Sequence, residues 1–145
     1  MADVVSPEDR ELRALLGDVH TVAVVGLSSK TDRPSFQVAA YLQEHGYRIV
    51  PINPNETEVL GERAYPSLGD VPDDVRIDVV DVFRRAEETP PIARDAVAHG
   101  ARVLWLQEGI VNEEAARIAT DGGLDVIMGV CIRHVRARLM GEEIG

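Results

Sequence analysis

The residues with the clearest chemical potential lie in segment 26–35, which reads Gly-Leu-Ser-Ser-Lys-Thr-Asp-Arg-Pro-Ser. This segment follows an apolar run and precedes a stretch with helical spacing, and the N-terminus of a helix offers phosphate free N–H groups and a partial positive charge. Lys30, which is the only lysine of the chain, and Arg33 add two cations to several hydroxyls. We therefore predict a phosphate-binding loop, against the alternative of a solvated loop with an ordinary helix cap. Its predicted binding residues are Gly26, Leu27, Ser28, Ser29, Lys30, Arg33, Pro34 and Ser35.

The same segment lacks the common nucleotide-binding motifs. Only Gly26 fits a G-x-G-x-x-G pattern, and the second glycine and the Lys-Ser/Thr pair of a Walker A motif are missing, which argues against a P-loop NTPase. Dinucleotide-binding domains usually place Asp or Glu after their second strand to hold the ribose hydroxyls. Here that position carries Asn53 and Pro54. A carboxylate would repel a phosphorylated ribose, so this difference favours a ligand such as coenzyme A or NADP.

Two further segments follow predicted strands. Phe83-Arg84-Arg85 combines an aromatic ring, which can stack on adenine, with guanidinium groups that can pair with phosphate. The alternative is a strand end with solvated arginines, since exposed charges contribute little by themselves. Gln107-Glu108-Gly109 supplies polar side chains and a glycine that allows close approach of the backbone.

A catalytic arrangement is not evident in the sequence. Glu108 could act as a general base, but a single carboxylate is weak evidence for catalysis. Ser28 and Ser29 are outside a G-x-S-x-G elbow. Cys131 and His134 are one helical turn apart, so a Cys–His pair is geometrically possible, with a small core cysteine as the alternative. One cysteine and four scattered histidines predict no metal site.

The segments that position these residues alternate between strands and helices. Apolar, β-branched runs predict strands at 22–26, 47–52, 77–83, 103–106 and 125–128, with a short strand-like piece at Ala64-Tyr65. Capping residues and helical spacing predict helices at 6–17, 34–46, 90–100, 112–122 and 131–140. This alternation predicts an α/β fold: a three-layer, doubly wound, Rossmann-like parallel sheet with helices on both faces. In such sheets ligands bind beyond the carboxyl ends of the strands.

Length and charge restrict the class of protein. The 145 residues predict a single domain over 1–145, with an N-terminal helix appended in 1–20. A formal net charge of −10 disfavours nucleic acid as a partner. No apolar run approaches the roughly 18–20 residues of a membrane span, and the acidic N-terminus lacks a signal-peptide core, so we expect a cytoplasmic protein.

Four stretches carry a resemblance to a known family. They are VAVVGLSSKTDRPS at 22–35, GYRIVPINPNETEVLGERAY at 46–65, VVDVFRRAEETP at 79–90 and VLWLQEGI at 103–110. The chain resembles the small stand-alone CoA-binding proteins, which are single-domain relatives of the CoA-binding domain of succinyl-CoA synthetase α subunits. The resemblance implies a Rossmann-type fold that binds coenzyme A without a known reaction.

The resemblance also implies a role for each segment. The loop at 26–35 would cradle the phosphates, Asn53 and Pro54 would border the adenosine, and Phe83 and Arg84 would line the nucleotide cleft. The pantetheine side would be flanked by Gln107, Glu108 and Gly109. Relatives often carry Asp-Arg before the cysteine and Glu-His after it. This chain has Gly129-Val130 and Val135-Arg136 there, so charged groups expected near the pantetheine end are partly missing, with Arg133 as a possible substitute.

These observations predict a non-catalytic protein whose partner is a small nucleotide ligand, coenzyme A or an acyl-CoA. One alternative is an accessory subunit of an acyl-CoA synthetase or ligase. Another is an NAD(P)-binding regulatory or redox module. A homo-oligomer and a partner enzyme subunit are both compatible with the sequence. The place of Cys131 after the last strand also suggests a mixed disulfide with the coenzyme thiol.

Overall fold

The computed structural model describes residues 6–142, and the side chains from residue 9 onward. Seven strands are present in this range: β1 (Thr21–Val25), β2 (Arg48–Ile52), β3 (Glu58–Val59), β4 (Glu62–Arg63), β5 (Val79–Val82), β6 (Val103–Leu106) and β7 (Asp125–Met128). The helices are α1 (Ser6–Asp18), α2 (Pro34–Glu44), α3 (Thr89–His99), α4 (Glu113–Asp121) and α5 (Ile132–Leu139). Among these residues no helix combines the length and the apolar character that a membrane crossing requires.

Five strands form one parallel sheet in the order β2-β1-β5-β6-β7. The chain passes from β1 to β2 on one side, and then crosses to β5 on the other side of β1. The strand order therefore reverses between β1 and β5, which is where open α/β sheets bind their ligands. The predicted doubly wound, Rossmann-like fold class is confirmed.

Two apolar cores cover the two faces of the sheet. Val24 and Trp105 belong to the core that includes residues of α1, α2 and α5. Val25 and Leu104 belong to the core that includes residues of α3 and α4. This division follows from the strand repeat, because neighbouring residues point to opposite faces. Trp105 is fully buried, and its Nε1–H donates to the Val130 carbonyl at 2.9 Å.

The region after β2 is more regular than predicted. Besides the expected strand-like piece, where Tyr65 bridges to Ile52, it contains the hairpin of β3 and β4, which the sequence analysis missed. The Tyr65 N–H donates to the Pro51 carbonyl at 3.0 Å, so this segment covers the outer side of β2. Pro51 is tolerated because β2 is the last strand at this side of the sheet.

Strand boundaries differ slightly from the prediction. The third strand of the sheet spans Val79–Val82 instead of 77–83. Its flanking residues still make ladder hydrogen bonds, from Asp78 N–H to the Thr21 carbonyl at 3.0 Å and from Phe83 N–H to the Val25 carbonyl at 2.8 Å. The difference therefore concerns the ends of the element and leaves its place in the sheet unchanged.

Candidate functional site

Gly26 brings the ends of β1, β2 and β5 together. Its N–H donates to the Ile52 carbonyl at 2.8 Å, and its backbone φ of +89° is rarely adopted by residues that carry a side chain. A Cβ at this position would lie 2.6 Å from the Phe83 carbonyl oxygen. Only glycine therefore permits this approach, and the predicted loop leaves the sheet directly beside the end of β5.

The predicted phosphate loop is organised by its own hydroxyls. The Ser28 N–H donates to Ser35 Oγ at 3.0 Å, and the Lys30 N–H donates to Ser28 Oγ at 3.0 Å. Ser35 is buried, so its hydroxyl holds the Ser28 end of the loop against the protein interior. Leu27 is fully buried in the core, and its carbonyl accepts a 3.0 Å hydrogen bond from Asn53 Nδ2. Leu27 could contact a ligand only through its backbone.

The start of α2 leaves hydrogen-bonding capacity open. Arg33 is the N-cap residue without a side-chain cap, and Pro34 occupies the first turn. The N–H groups of Ser35 and Phe36 have no acceptor within the described range 6–142. Lys30 and Arg33 are exposed, and neither forms an ion pair with a described residue. Two N–H groups and the helix dipole thus lie beside two exposed cations in the sequence, a combination that suits a bound phosphate.

Two cavities flank the loop, and Arg84 lines both of them. The smaller has a volume of about 510 Å³, and its walls include Gly26, Pro54 and Ile92. The larger has a volume of about 810 Å³. Its walls include the predicted residues Pro34, Phe83, Gln107, Glu108 and Gly109. Asn53 lines neither cavity in this structure, because its amide joins the loop after β2 to Leu27.

The arginines after β5 are already paired within the protein. Arg84 Nη2 and Arg85 Nε each lie 2.7 Å from an oxygen of Glu88. Hydrogen bonds from Arg85 and Arg84 lower the pKa of the Glu88 carboxyl. A phosphate approaching Arg84 would therefore have to share this guanidinium with Glu88. Glu88 is not among the residues predicted from the sequence, although its i,i+4 spacing from Arg84 could have indicated the ion pair between them.

Gln107 connects the end of β6 to the start of α5. Its side chain is buried, with 4% of its surface exposed, and Oε1 accepts a 3.1 Å hydrogen bond from the Ile132 N–H. Its Nε2 has no acceptor among the residues that the structure describes. Because Gln107 lines the larger cavity, this amide can donate to a ligand there.

Cys131 and His134 also line the larger cavity. Cys131 is buried and His134 is exposed. No hydrogen bond joins the two side chains in the described part of the chain, so the geometry offers no support for a nucleophile–base pair. Likewise, residues 6–142 bring no three His, Cys, Asp or Glu side chains together in a way that could hold a metal ion.

Two arginines near the predicted pantetheine end have different environments: Arg136, where the chain departs from the pattern of the resemblance, and Arg133, the suggested substitute. Arg136 lies outside the larger cavity and bonds to the hydroxyls of Tyr47 and Tyr41, at 3.0 and 3.2 Å, and to Glu142 at 2.8 Å. It therefore attaches α5 to neighbouring elements. Arg133 does line the larger cavity, with its guanidinium carbon 5.6 Å from the centroid of the Tyr41 ring. Arg133 is thus the residue of α5 that can place a cation at this site.

Glu56 contacts the predicted phosphate loop, although it is not among the residues predicted from the sequence. Directly after β2 the chain carries Asn53 and Pro54, so the carboxylate of dinucleotide-binding domains is absent at that position, as the sequence indicates. The turn at 53–56, with a 3.2 Å hydrogen bond from Glu56 N–H to the Asn53 carbonyl, returns the chain to the loop. Glu56 Oε2 accepts a 2.9 Å hydrogen bond from the Ser29 N–H. The carboxylate that reaches the loop therefore comes from beyond the Asn53-Pro54 position, and the Asn-Pro-Asn turn signal could have indicated this return of the chain.

Comparisons with known proteins show which family this chain belongs to. The family described as a CoA binding domain matches residues 20–136. Uncharacterized protein YneT of Bacillus subtilis is 41% identical over 132 residues, which are 91% of this chain and 96% of that protein. The solved structure of a hypothetical protein from Pyrococcus horikoshii OT3 has a TM-score of 0.88 and 35% identity, covering 97% of this chain and 100% of that one. The ADP-forming acetate–CoA ligase II of Archaeoglobus fulgidus is 31% identical over 99 residues, which are 67% of this chain and 14% of the ligase. The chain therefore belongs to the CoA binding domain family.

Proposed function

We propose that this protein binds coenzyme A or an acyl-CoA at the carboxyl edge of its sheet and performs no reaction on its own. The observation that carries the proposal is the junction of two cavities at Arg84, next to a loop whose exposed cations form no ion pair within the described part of the chain. Membership of the CoA binding domain family supports the same ligand. Both cavity volumes fall within the roughly 300–1,000 Å³ typical of small-molecule sites.

The phosphates would lie at the start of α2. There the N–H groups of Ser35 and Phe36 point out of the first turn, and the helix dipole favours negative charge. Lys30 and Arg33 are exposed beside it and can approach a phosphate without breaking an ion pair with a described residue. The overall charge of −10 makes this local group of cations more distinctive.

The other parts of the coenzyme would occupy the two cavities. The smaller one offers apolar walls, including Ile52, Pro54 and Ile92, to an adenine ring. The larger one combines apolar surface from Val38 and Phe83 with the free amide of Gln107. Pantetheine is a chain of methylene and amide groups, so it matches this mixture of apolar surface and a hydrogen-bond donor.

A role beside a ligase is the second candidate. It is favoured by the match to an ADP-forming acetate–CoA ligase, of which the matched segment is only 14%. The chain would then supply the CoA-binding part, and a separate polypeptide the remaining parts. Affinity purification of the full chain that yields a ligase subunit in a fixed ratio would favour this role.

Titration calorimetry with coenzyme A tests the proposed site. Replacing both Lys30 and Arg33 by alanine should weaken binding at least about 100-fold, because each charged hydrogen bond contributes about 1.5–3 kcal/mol. The matched control replaces Arg48 and Arg117, which are exposed and lie away from both cavities, and should leave the affinity unchanged. An unchanged affinity in the Lys30/Arg33 variant would reject the phosphate site.

A ligand panel tests the identity of the ligand. Since a ligand that binds only the native state raises the unfolding temperature, coenzyme A and acetyl-CoA should stabilise the protein more than NAD or NADP. Stabilisation by NADP and none by coenzyme A would instead support the dinucleotide alternative.

A further inference from the structure

Three consecutive N–H groups of the loop at 26–35 have acceptors of different kinds. Those of Ser28 and Lys30 donate to serine hydroxyls of the same segment, which are neutral. The Ser29 N–H instead donates to the carboxylate of Glu56, a residue 27 positions further along the chain. The one acceptor that comes from outside the loop is therefore also the one that carries a negative charge.

The surroundings of Glu56 hold this carboxylate against the loop. Asn53 shapes the turn, accepting a 2.9 Å hydrogen bond from the Asn55 N–H, and its own amide donates to the Leu27 carbonyl at 3.0 Å. Both ends of the contact are thus attached to the same backbone framework. Glu56 is only partly exposed, and across residues 6–142 it forms no ion pair. The Ser29 N–H is the sole hydrogen-bond donor to the Glu56 carboxylate among those residues.

We propose that the Glu56 carboxylate is an internal competitor for the ligand phosphate: it occupies the Ser29 N–H in the free protein and must leave when a phosphorylated ligand binds. This inference rests on the proposed function, because it concerns the same loop. The exchange replaces one anionic acceptor on the N–H by another, so no donor is left unpaired. The displaced carboxylate can turn to water, but it remains a negative charge near the phosphate.

Competition of this kind would set the affinity of the site. Two negative charges a few ångströms apart at a protein surface repel each other by roughly 1 kcal/mol or more, which corresponds to about fivefold in affinity. Lys30 and Arg33 attract the phosphate, whereas Glu56 opposes it. Glu56 would thereby keep coenzyme A exchangeable and make the affinity sensitive to the number of phosphates that the ligand carries.

An opposite role for Glu56 is chemically reasonable and gives the opposite result. A carboxylate near the end of a second strand can accept hydrogen bonds from ribose hydroxyls, as in dinucleotide-binding domains. Removing its charge would then weaken binding. The direction of the change in affinity therefore separates the two roles.

The test compares Glu56→Gln with the wild type by calorimetry, using coenzyme A, 3′,5′-ADP and pantetheine. Glutamine keeps an oxygen that can accept from the Ser29 N–H and removes only the charge. We expect coenzyme A and 3′,5′-ADP to bind about fivefold more tightly, while pantetheine, which has no phosphate, is unaffected. Glu58→Gln is the matched control, since Glu58 is exposed on β3 and its carboxylate makes no hydrogen bond or ion pair with a described residue.

A second measurement follows the Ser29 amide in NMR spectra of the free protein. Its proton signal should shift in Glu56→Ala, where the acceptor is lost, and should shift again in the wild type when coenzyme A is added. Unchanged or weaker binding of coenzyme A by Glu56→Gln would overturn the competition. If the wild type binds no coenzyme A at all, the proposed function fails instead, so the two failures are distinguishable.

Discussion

Polar groups at the two ends of the parallel strands differ in how they are paired. We call the side with the amino ends of the strands the amino edge and the side with their carboxyl ends the carboxyl edge. At the amino edge, Asp78 accepts hydrogen bonds from the N–H groups of His20 and Thr21, at 2.8 and 3.0 Å, and lies 3.5 Å from Arg76 Nε. At the carboxyl edge, Nε2 of Gln107 and the first N–H groups of α2 have no acceptor among the described residues, although Oε1 of Gln107 accepts from the Ile132 N–H. The amino edge is closed by the chain itself, whereas the carboxyl edge keeps hydrogen-bonding capacity for something else.

This contrast distinguishes residues that stabilise the fold from residues that are available to bind a ligand. An unpaired polar group costs free energy when it is buried, so a protein keeps such groups open only where water or a ligand reaches them. The cavities on either side of Arg84 provide that access. The same reasoning predicts that substitutions at the two edges affect different measurements.

Two aspartates just before β5 and within it, Asp78 and Asp81, also differ in whether their carboxylates have partners. Asp78, just before the strand, is fully paired, while Asp81 inside it is completely buried and neither of its oxygens has a partner among the described residues. Asp81 lies opposite Val24 and Trp105 in the sheet. Burial raises the pKa of the Asp81 carboxyl well above its usual range. The Asp81 carboxyl therefore costs stability and lies too deep to contact a ligand.

The largest effect is expected from Asp78→Ala. Two N–H groups at the buried amino edge would lose their acceptor, which should lower the free energy of unfolding by about 3 kcal/mol. Urea denaturation measures this loss, and Asp78→Asn, which keeps an oxygen acceptor, should lose clearly less. Coenzyme A affinity of the folded variants should be unchanged. A weakened affinity would contradict the inference that the amino edge stabilises the fold while the carboxyl edge binds the ligand.

Asp81→Val should act in the opposite direction. Removing an unpaired buried polar group is expected to raise the free energy of unfolding by about 2 kcal/mol at neutral pH. The folded-state pKa is raised, so the wild type loses stability as pH rises from the ordinary carboxyl pKa towards the folded one. The gain should therefore shrink in acid, as measured by urea denaturation at several pH values. Asp81→Asn controls for the titration alone, and a gain that does not change with pH would contradict the raised pKa.

The smallest effect is expected from Arg102→Ala at the amino edge. Arg102 Nη1 lies 2.9 Å from Asp18 Oδ2, but both side chains are substantially exposed. Exposed ion pairs contribute little, so the free energy of unfolding should fall by about 0.5 kcal/mol or less, and ligand affinity should not change. Lys30→Ala, at the opposite edge, should likewise leave stability unchanged but weaken coenzyme A binding. Equal effects of both substitutions on binding would contradict the comparison.

Much of the architecture could be predicted from local patterns. Val22 to Val25 form a continuous apolar run rich in β-branched residues, and Pro34 starts a helix, so both elements follow from the local sequence. The loop at 26–35 was identified because a glycine, a strand end and a helix start are adjacent in the chain. The β3–β4 hairpin was missed because each of its strands has only two residues, too few to show a period.

The amino-acid sequence by itself determined the elements, their alternation and the cations beside the start of α2, because periodicity, capping and turn chemistry act between near neighbours. Only the tertiary structure decided which acceptor each of these groups meets. Glu56 reaches Ser29, and Gln107 reaches the start of α5, across about 25 residues of chain. Such contacts depend on which strands become neighbours, and the strand order arises from packing of the whole sheet rather than from any local signal.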